Sequence, residues 1–361
     1  MHRPENSRLR RTAAGPLNVA CFAAAFVASA LFIGARLPFP DVPEAGDKHA
    51  YFAQHGLPYD TLFLGSSRVE IQIAPAIFNR RMAELGHPLT AFNAGISAMT
   101  PPEDAYFFDA LMRLPHPRLR WVFVELMPVW LKVDAGRREG GRLAYWHDWE
   151  RLTVLWPGFV SEFRQTTKAL GGKKQRQKMW LARLAEYGEP VGQYLEHVQL
   201  FLQREVHLGA AVPLAARFAA SAPAPSSTIG DGWVETPRVI AGADLADYER
   251  TSAERRQTPQ YAKPGNPAGA VALRRLLEKI ARTGAVPVLL VPPRTGATRF
   301  EPPSDIRQSC ILLDFSDPRE YPELFALENR LDGEHLSAAG ARVFTRLVAE
   351  HFAAALAARA K

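Results

Sequence analysis

The stretch that decides the fold is Tyr59-Asp60-Thr61-Leu62-Phe63-Leu64-Gly65-Ser66-Ser67-Arg68-Val69. Its apolar run, Thr61–Leu64, predicts a buried strand that stops at Gly65. Two serines follow, and a helical pattern begins after a short link. A serine in a turn between a strand and a helix lies at the carboxyl edge of a sheet, where the helix amino end favours negative charge. Ser66 or Ser67 is therefore a candidate nucleophile, although turn serines also serve simply to satisfy backbone groups.

A second stretch near the carboxyl end carries complementary chemistry. It reads Asp332-Gly333-Glu334-His335-Leu336-Ser337 and precedes a helical pattern over residues 338–358. An aspartate and a histidine three residues apart in a turn can reach one sheet edge, so a general base and its orienting group arrive together. Ser337 is predicted to cap the closing helix, which explains the serine but leaves His335 without a structural role.

Strand and helix patterns alternate around these two motifs. Apolar runs predict further strands at 89–93, 121–126, 286–291 and 310–315, and helical patterns cover 74–85, 103–112 and 270–282. Each early strand is followed by a helix or a crossover, which is typical of a parallel sheet covered on both faces. The sequence therefore predicts an α/β fold.

The alternation is interrupted by residues 132–265, which we interpret as a helical insertion over the sheet edge. Its helical patterns cover 151–167 and 173–208. The insertion carries a group of basic residues, Lys168, Lys173, Lys174, Arg176, Lys178 and Arg183. They indicate either a solvated helix face or contact with anionic lipid or an acidic polymer. The aromatic stretch 145–149 suits either a sugar platform or buried packing.

The formal charge of +7 is concentrated partly in the first residues of the chain, among them Arg3, Arg8, Arg10 and Arg11. They precede an uncharged run over 17–35, about nineteen residues against the roughly twenty that cross a bilayer. Residues 1–16 are thus predicted to be a cytoplasmic tail, 17–35 a single-pass signal anchor and 36–58 an extracytoplasmic stalk. A cleaved signal peptide is the alternative, with Ala28-Ser29-Ala30 as its cleavage site. On either interpretation the main part of the chain lies outside the cytoplasm, which excludes nucleic acid as a partner.

Together these residues resemble the SGNH, or GDSL-like, hydrolase superfamily. Gly65-Ser66-Ser67 stands where that family has Gly-Asp-Ser, and Asp332-Gly333-Glu334-His335 matches its terminal Asp-x-x-His. The resemblance implies that Ser67 is the nucleophile, His335 the base and Asp332 its orienting group. The stretch from Asn93 to Ala98 is similar to the second conserved block, so Asn93, Gly95 and Ala98 are expected to hold the oxyanion.

The resemblance implies a three-layer α/β/α sandwich with a parallel sheet of about five strands, formed by residues 59–131 and 266–361. It also implies a serine esterase or O-acyltransferase without metal or cofactor, similar to membrane-anchored members that modify envelope polymers. Such a protein would act on an acylated glycan or lipid at the bacterial inner membrane, facing the periplasm, and a membrane acyl-transfer protein would be a partner.

Two departures from that family weaken the expectation of catalysis. Ala98 stands where the second block often has glycine, and the asparagine of the third block is missing after Glu125. Losing one oxyanion donor costs a factor of about 100 to 1,000 in turnover. A catalytically silent envelope protein that binds polysaccharide or an assembly partner is therefore the alternative. The sequence contains neither a Gly-x-Ser-x-Gly elbow nor a His-Glu-x-x-His pair, which argues against an ordinary α/β-hydrolase or a zinc enzyme.

Overall fold

A five-stranded parallel sheet forms the centre of the protein. A computed structural model describes residues 6–36, 39–40, 42–115, 119–129, 131, 133, 142–169, 180–206, 230–257, 261–264, 267–295 and 298–359. The sheet has the order β2-β1-β3-β5-β7, and all of its strand pairs are parallel. Its strands are β1 (Thr61–Leu64), β2 (Ala91–Asn93), β3 (Trp121–Glu125), β5 (Val286–Val291) and β7 (Ile311–Asp314). The predicted parallel α/β sheet is thus confirmed.

Helices connect these strands, and several begin with residues that suit a first helical turn. In chain order they are α1 (Asn6–Arg36), α2 (Ala45–His55), α3 (Ser67–Glu70), α4 (Pro75–Glu84), α5 (Pro101–Met112), α6 (Arg142–Trp146), α7 (Trp149–Ala169), α8 (Trp180–Val206), α9 (Gly242–Gln257), α10 (Pro267–Arg282), α11 (Ser304–Ser309) and α12 (Ala338–Arg359). Proline is tolerated at the start of α4, α5 and α10 because those amides have no intrahelical partner. A separate parallel pair joins β4 (Tyr261–Pro264) to β6 (Thr298–Glu301).

Alternate side chains of the strands enter two apolar cores, one on each face of the sheet. On one face Leu62 and Leu64 pack with α5 and α10. On the other face Phe63 and Phe123 pack with α4 and α12. Helices therefore cover both faces, which is consistent with a three-layer sandwich.

Most predicted elements are present, with ends that shift by a few residues. The strand predicted at 89–93 is shorter, the helix predicted at 270–282 begins earlier at Pro267, and the insertion helix predicted at 173–208 corresponds to α8. The short helix α3 was not predicted, because four residues are too few to show helical periodicity. Ser337 caps α12 as predicted, since its Oγ accepts the Gly340 amide at 3.3 Å.

The insertion occupies two places on the sandwich. Helix α7 packs against α10 through a small apolar cluster that includes Leu155 and Ala272. Residues 230–234 instead lie beside the end of β2 and beside α3: the Asn93 backbone amide donates to the Asp231 carbonyl at 2.9 Å, and the Val234 amide donates to the Glu70 carbonyl at 3.2 Å. Lys173, Lys174, Arg176 and Lys178 lie outside the described residues.

Helix α1 contains the predicted membrane anchor, and its apolar side chains are largely uncovered. Leu17, Phe22 and Phe26 are each about half exposed or more, at 64%, 73% and 46%. Within the described residues, none of the helices is both long enough and apolar enough to cross a bilayer.

Candidate active site

The turn after β1 and the loop before α12 meet beside the carboxyl edge of the sheet. Ser67 Oγ lies 2.8 Å from His335 Nε2, and His335 Nδ1 lies 2.9 Å from Asp332 Oδ2. An ionised carboxylate can only accept hydrogen bonds, so Nδ1 carries the imidazole proton and Nε2 accepts from the serine hydroxyl. The structure therefore brings Ser67, His335 and Asp332 into one hydrogen-bonded line, although 268 residues separate the serine from the histidine.

The Asp332 carboxylate is held in its charged form by its surroundings. Burial by itself would raise the pKa of Asp332, but the hydrogen bond and charge of His335 and the amides of Glu334 and His335 outweigh it, so the pKa is lowered. Asp332 Oδ1 accepts those two amides at 2.7 and 2.8 Å. An ionised Asp332 can thus orient the imidazole. The His335 side chain is 24% exposed, which leaves it within reach of a substrate.

Buried groups fix the loop that carries the histidine. The fully buried Arg330 donates from Nε to the Asp332 carbonyl at 3.1 Å and from Nη2 to the Gly333 carbonyl at 2.7 Å. The amide and hydroxyl of Thr295 also donate to the Gly333 carbonyl, at 3.0 and 2.9 Å. The loop between Arg330 and His335 is therefore attached both to itself and to the segment after β5.

The two candidate serines have different roles. Ser66 is the N-cap of α3, with its Oγ accepting the Arg68 amide at 3.3 Å and donating to Glu125 Oε2 at 2.8 Å. Ser66 therefore has the backbone role that turn serines often have, while Ser67 begins α3 and faces the imidazole. Gly65 is required by close packing, because a Cβ there would lie 2.6 Å from the Glu125 side chain.

Asn93 and Gly95 use their polar groups within the chain. The side-chain nitrogen of Asn93, Nδ2, donates to the carbonyls of Val69, Glu70 and Ile73 at 2.8, 3.2 and 2.7 Å. Its Oδ1 accepts the backbone amide of Gly95 at 2.9 Å. These groups were expected to hold an oxyanion. In the structure they instead fasten the loop after β2 to the carboxyl end of α3.

Ala98 has an unusual backbone conformation for a residue with a side chain. Its φ of 59° lies in the left-handed region, which glycine adopts without strain. Buried charges brace the same loop. Lys48 donates to the Gly95 carbonyl and lies 3.2 Å from Glu70, whose other oxygen accepts Ser97 Oγ at 2.7 Å.

Sequence reasoning missed several residues that shape the site. Lys48, Glu70 and Arg330 lie in stretches with no distinctive pattern, and their roles depend on contacts with distant parts of the chain. Glu125 did give a signal, because it is the single charged residue in an otherwise apolar strand. A charge in a buried strand needs a partner, and this could have pointed to the serine turn.

The site contains a serine hydroxyl, an imidazole and a carboxylate in hydrogen-bonding contact. Among the described residues, no group of three or more His, Cys, Asp or Glu side chains is arranged to hold a metal ion. In comparisons with known proteins, the chain matches no family model, no curated protein and no solved structure. Its chemistry therefore has to be inferred from Ser67, His335, Asp332 and the groups around them.

Proposed function

We propose that this protein is a membrane-anchored, extracytoplasmic serine esterase or O-acyltransferase that acts on an acylated envelope glycan or lipid through an acyl-serine intermediate. The observation that carries the proposal is the hydrogen-bonded line from Ser67 Oγ to His335 to Asp332. A serine hydroxyl, an imidazole and an ionised carboxylate in this order form a nucleophile, its base and the group that orients the base. The resemblance of both motifs to SGNH hydrolases supports the same conclusion.

In the first half of the reaction, Ser67 Oγ attacks the ester carbonyl carbon while His335 Nε2 takes the hydroxyl proton. Asp332 stabilises the imidazolium that forms. The imidazolium then gives its proton to the leaving alcohol oxygen, which leaves an ester between the acyl group and Ser67. In the second half, water or a sugar hydroxyl gives a proton to His335 as its oxygen attacks the acyl carbon; the bond to Ser67 Oγ then breaks, and the imidazolium returns the proton to Ser67 Oγ.

The oxyanion needs donors near the Ser67 hydroxyl. The Ser67 amide belongs to the first turn of α3, where amides have no intrahelical carbonyl to bind, and it is the first donor in the proposed mechanism. The side chain of Asn93 and the amide of Gly95 already bond within the protein, so neither is the second donor in the proposed mechanism.

The proposed location depends on the amino end of the chain. Residues 17–35 carry no charge, and most of the described apolar side chains of α1, such as Leu17 and Phe22, are exposed. The anchor is proposed from this uncharged run, which has about the length needed to cross a bilayer, and not from the structure, in which none of the described helices is both long and apolar enough to do so. The basic residues before it favour a cytoplasmic amino end and a periplasmic site, close to acylated envelope polymers.

A silent binding protein is the second candidate, and the occupied donors of Asn93 and Gly95 favour it. An alkyl fluorophosphonate probe distinguishes the two candidates. A serine hydrolase or acyltransferase is labelled by the probe. The label should disappear in Ser67→Ala and persist in a folded Ser66→Ala variant. A folded wild-type protein that remains unlabelled over hours would contradict the enzymatic proposal and favour the binding role.

A further inference from the structure

Glu125 is a buried carboxylate at the carboxyl end of β3, where the strand is otherwise apolar. Its side chain has no exposed surface, and burying a charge in this way is unfavourable unless its oxygens are well paired. Oε2 accepts the Ser66 amide at 2.7 Å and the Ser66 hydroxyl at 2.8 Å, while Oε1 accepts Arg68 Nε at 2.6 Å. One carboxylate therefore holds both chain neighbours of Ser67.

Arg68 continues this connection to the loop of the base. Its Nη1 lies 3.2 Å from Glu334 Oε2, and Glu334 is the residue directly before His335. A second contact runs in parallel, since Gln72 Nε2 donates to the Glu334 carbonyl at 3.1 Å. The segment that follows the nucleophile is thus fastened to the residue that precedes the base.

The guanidinium group of Arg68 suits the linking of Glu125 to Glu334 better than another cation would. Its planar set of donors can serve Glu125 with Nε and Glu334 with Nη1 at the same time. A lysine ammonium keeps the positive charge but concentrates it at one point on a flexible chain. Arg68→Lys therefore separates the effect of charge from the effect of the two-sided geometry.

We propose that Glu125 and Arg68 are positioning residues that set the distance between Ser67 Oγ and His335 Nε2. This inference rests on the proposed function. Glu125 anchors the serine turn to the sheet, and Arg68 fixes that turn relative to the histidine loop. Misplacing a nucleophile by about 1 Å costs on the order of 100-fold in rate, so a loosened turn would slow the reaction without removing any reacting group.

The test is the saturation kinetics of labelling by an alkyl fluorophosphonate, measured where circular dichroism shows each variant to be fully folded. For Glu125→Gln and Arg68→Lys we expect the maximal labelling rate to fall on the order of 10- to 100-fold. The probe concentration for half-maximal rate should stay the same, since binding of a small probe does not require either residue. Arg81→Lys is the matched control, because Arg81 also joins two carboxylates, Glu84 and Glu350, but between α4 and α12. Its labelling rate should equal that of the wild type.

Three outcomes would overturn the inference, and a fourth leaves the decision to Arg68→Lys. A wild-type maximal rate in folded Arg68→Lys would show that charge alone is sufficient, and it would overturn the inference while leaving the proposed function intact. A fall of equal size in Arg81→Lys would mean that the rate reports general loosening of the fold, which also overturns it. If Glu125→Gln does not fold, Arg68→Lys decides by itself. A folded wild-type protein that is not labelled would refute the proposed function and this inference together.

Discussion

Replacing Asp332 with asparagine tests the orientation of the imidazole. The new side chain can keep its amide oxygen in the place of Oδ1, where it accepts the amides of Glu334 and His335 and preserves the loop. Its NH₂ group then occupies the place of Oδ2 and faces His335 Nδ1 at about the present 2.9 Å. Because that group donates at the shorter of the two contacts, it favours the tautomer in which Nδ1 accepts and the imidazole proton moves to Nε2, against the 3.0 Å contact between Nδ1 and the oxygen in the place of Oδ1. In this tautomer Nε2 can no longer take the proton of Ser67.

The expected result of Asp332→Asn is a fall in the second-order rate of phosphonate labelling by about 1,000- to 10,000-fold. At about 1.4 kcal/mol for each factor of ten, this corresponds to about 4 to 5.5 kcal/mol of transition-state stabilisation. The stability effect depends on pH. The lowered pKa of Asp332 stabilises the fold above the pKa of the unfolded state, and this contribution is lost as the pH falls through the folded pKa. The difference in unfolding free energy between wild type and Asp332→Asn should therefore be present at neutral pH and vanish in acid.

Asp317→Asn is a suitable control, since Asp317 also accepts a backbone amide two residues further along, that of Arg319, but its second oxygen accepts the Arg319 guanidinium instead of facing an imidazole. Its labelling rate should match that of the wild type. If folded Asp332→Asn reacts as fast as the wild type, the carboxylate does not set the tautomer and the proposed roles of Asp332 and His335 are wrong.

Three further expectations follow. Gly232→Ala should lower the unfolding free energy in urea by roughly 1 to 3 kcal/mol more than Gly242→Ala. Both glycines have positive φ, but a Cβ at Gly232 would lie 2.1 Å from the Asn93 carbonyl oxygen whereas one at Gly242 meets nothing within 4 Å; equal losses would contradict the packing of this segment on β2. Asp104→Asn should raise the unfolding free energy more at pH 8 than at pH 5. Burial raises the pKa of Asp104, so the protonated carboxyl stabilises the fold at low pH and that contribution is lost as the pH rises through the folded pKa. An equal gain at both pH values would show that the effect does not come from the ionisation of Asp104. A variant that lacks residues 1–35 should no longer be found in the membrane fraction and should be labelled by the probe at the wild-type rate. Its retention in membranes would argue against the anchor.

The sequence predicts the parallel sheet well because strands show themselves in local patterns. Short apolar runs mark strands, and the carboxyl ends of parallel strands share one edge, so a serine after β1 and a histidine before α12 can be expected to meet. The roles of Asn93 and Glu125 could not be predicted in the same way. Asn93 bonds to carbonyls about twenty residues earlier in the chain, and the Glu125 partner lies 59 residues away. Such pairings depend on how the completed sheet and helices pack.

The order of the two motifs along the chain has a consequence for biosynthesis. The segment with Ser67 leaves the ribosome well before the segment with His335, which follows it by 268 positions. Until the last loop and α12 have folded against the earlier part, the His335 imidazole is not beside the serine hydroxyl. On the proposed mechanism, a partly synthesised chain is therefore inert, and proteolytic loss of the carboxyl-terminal segment from residue 330 onward would abolish labelling while leaving Ser67 in place.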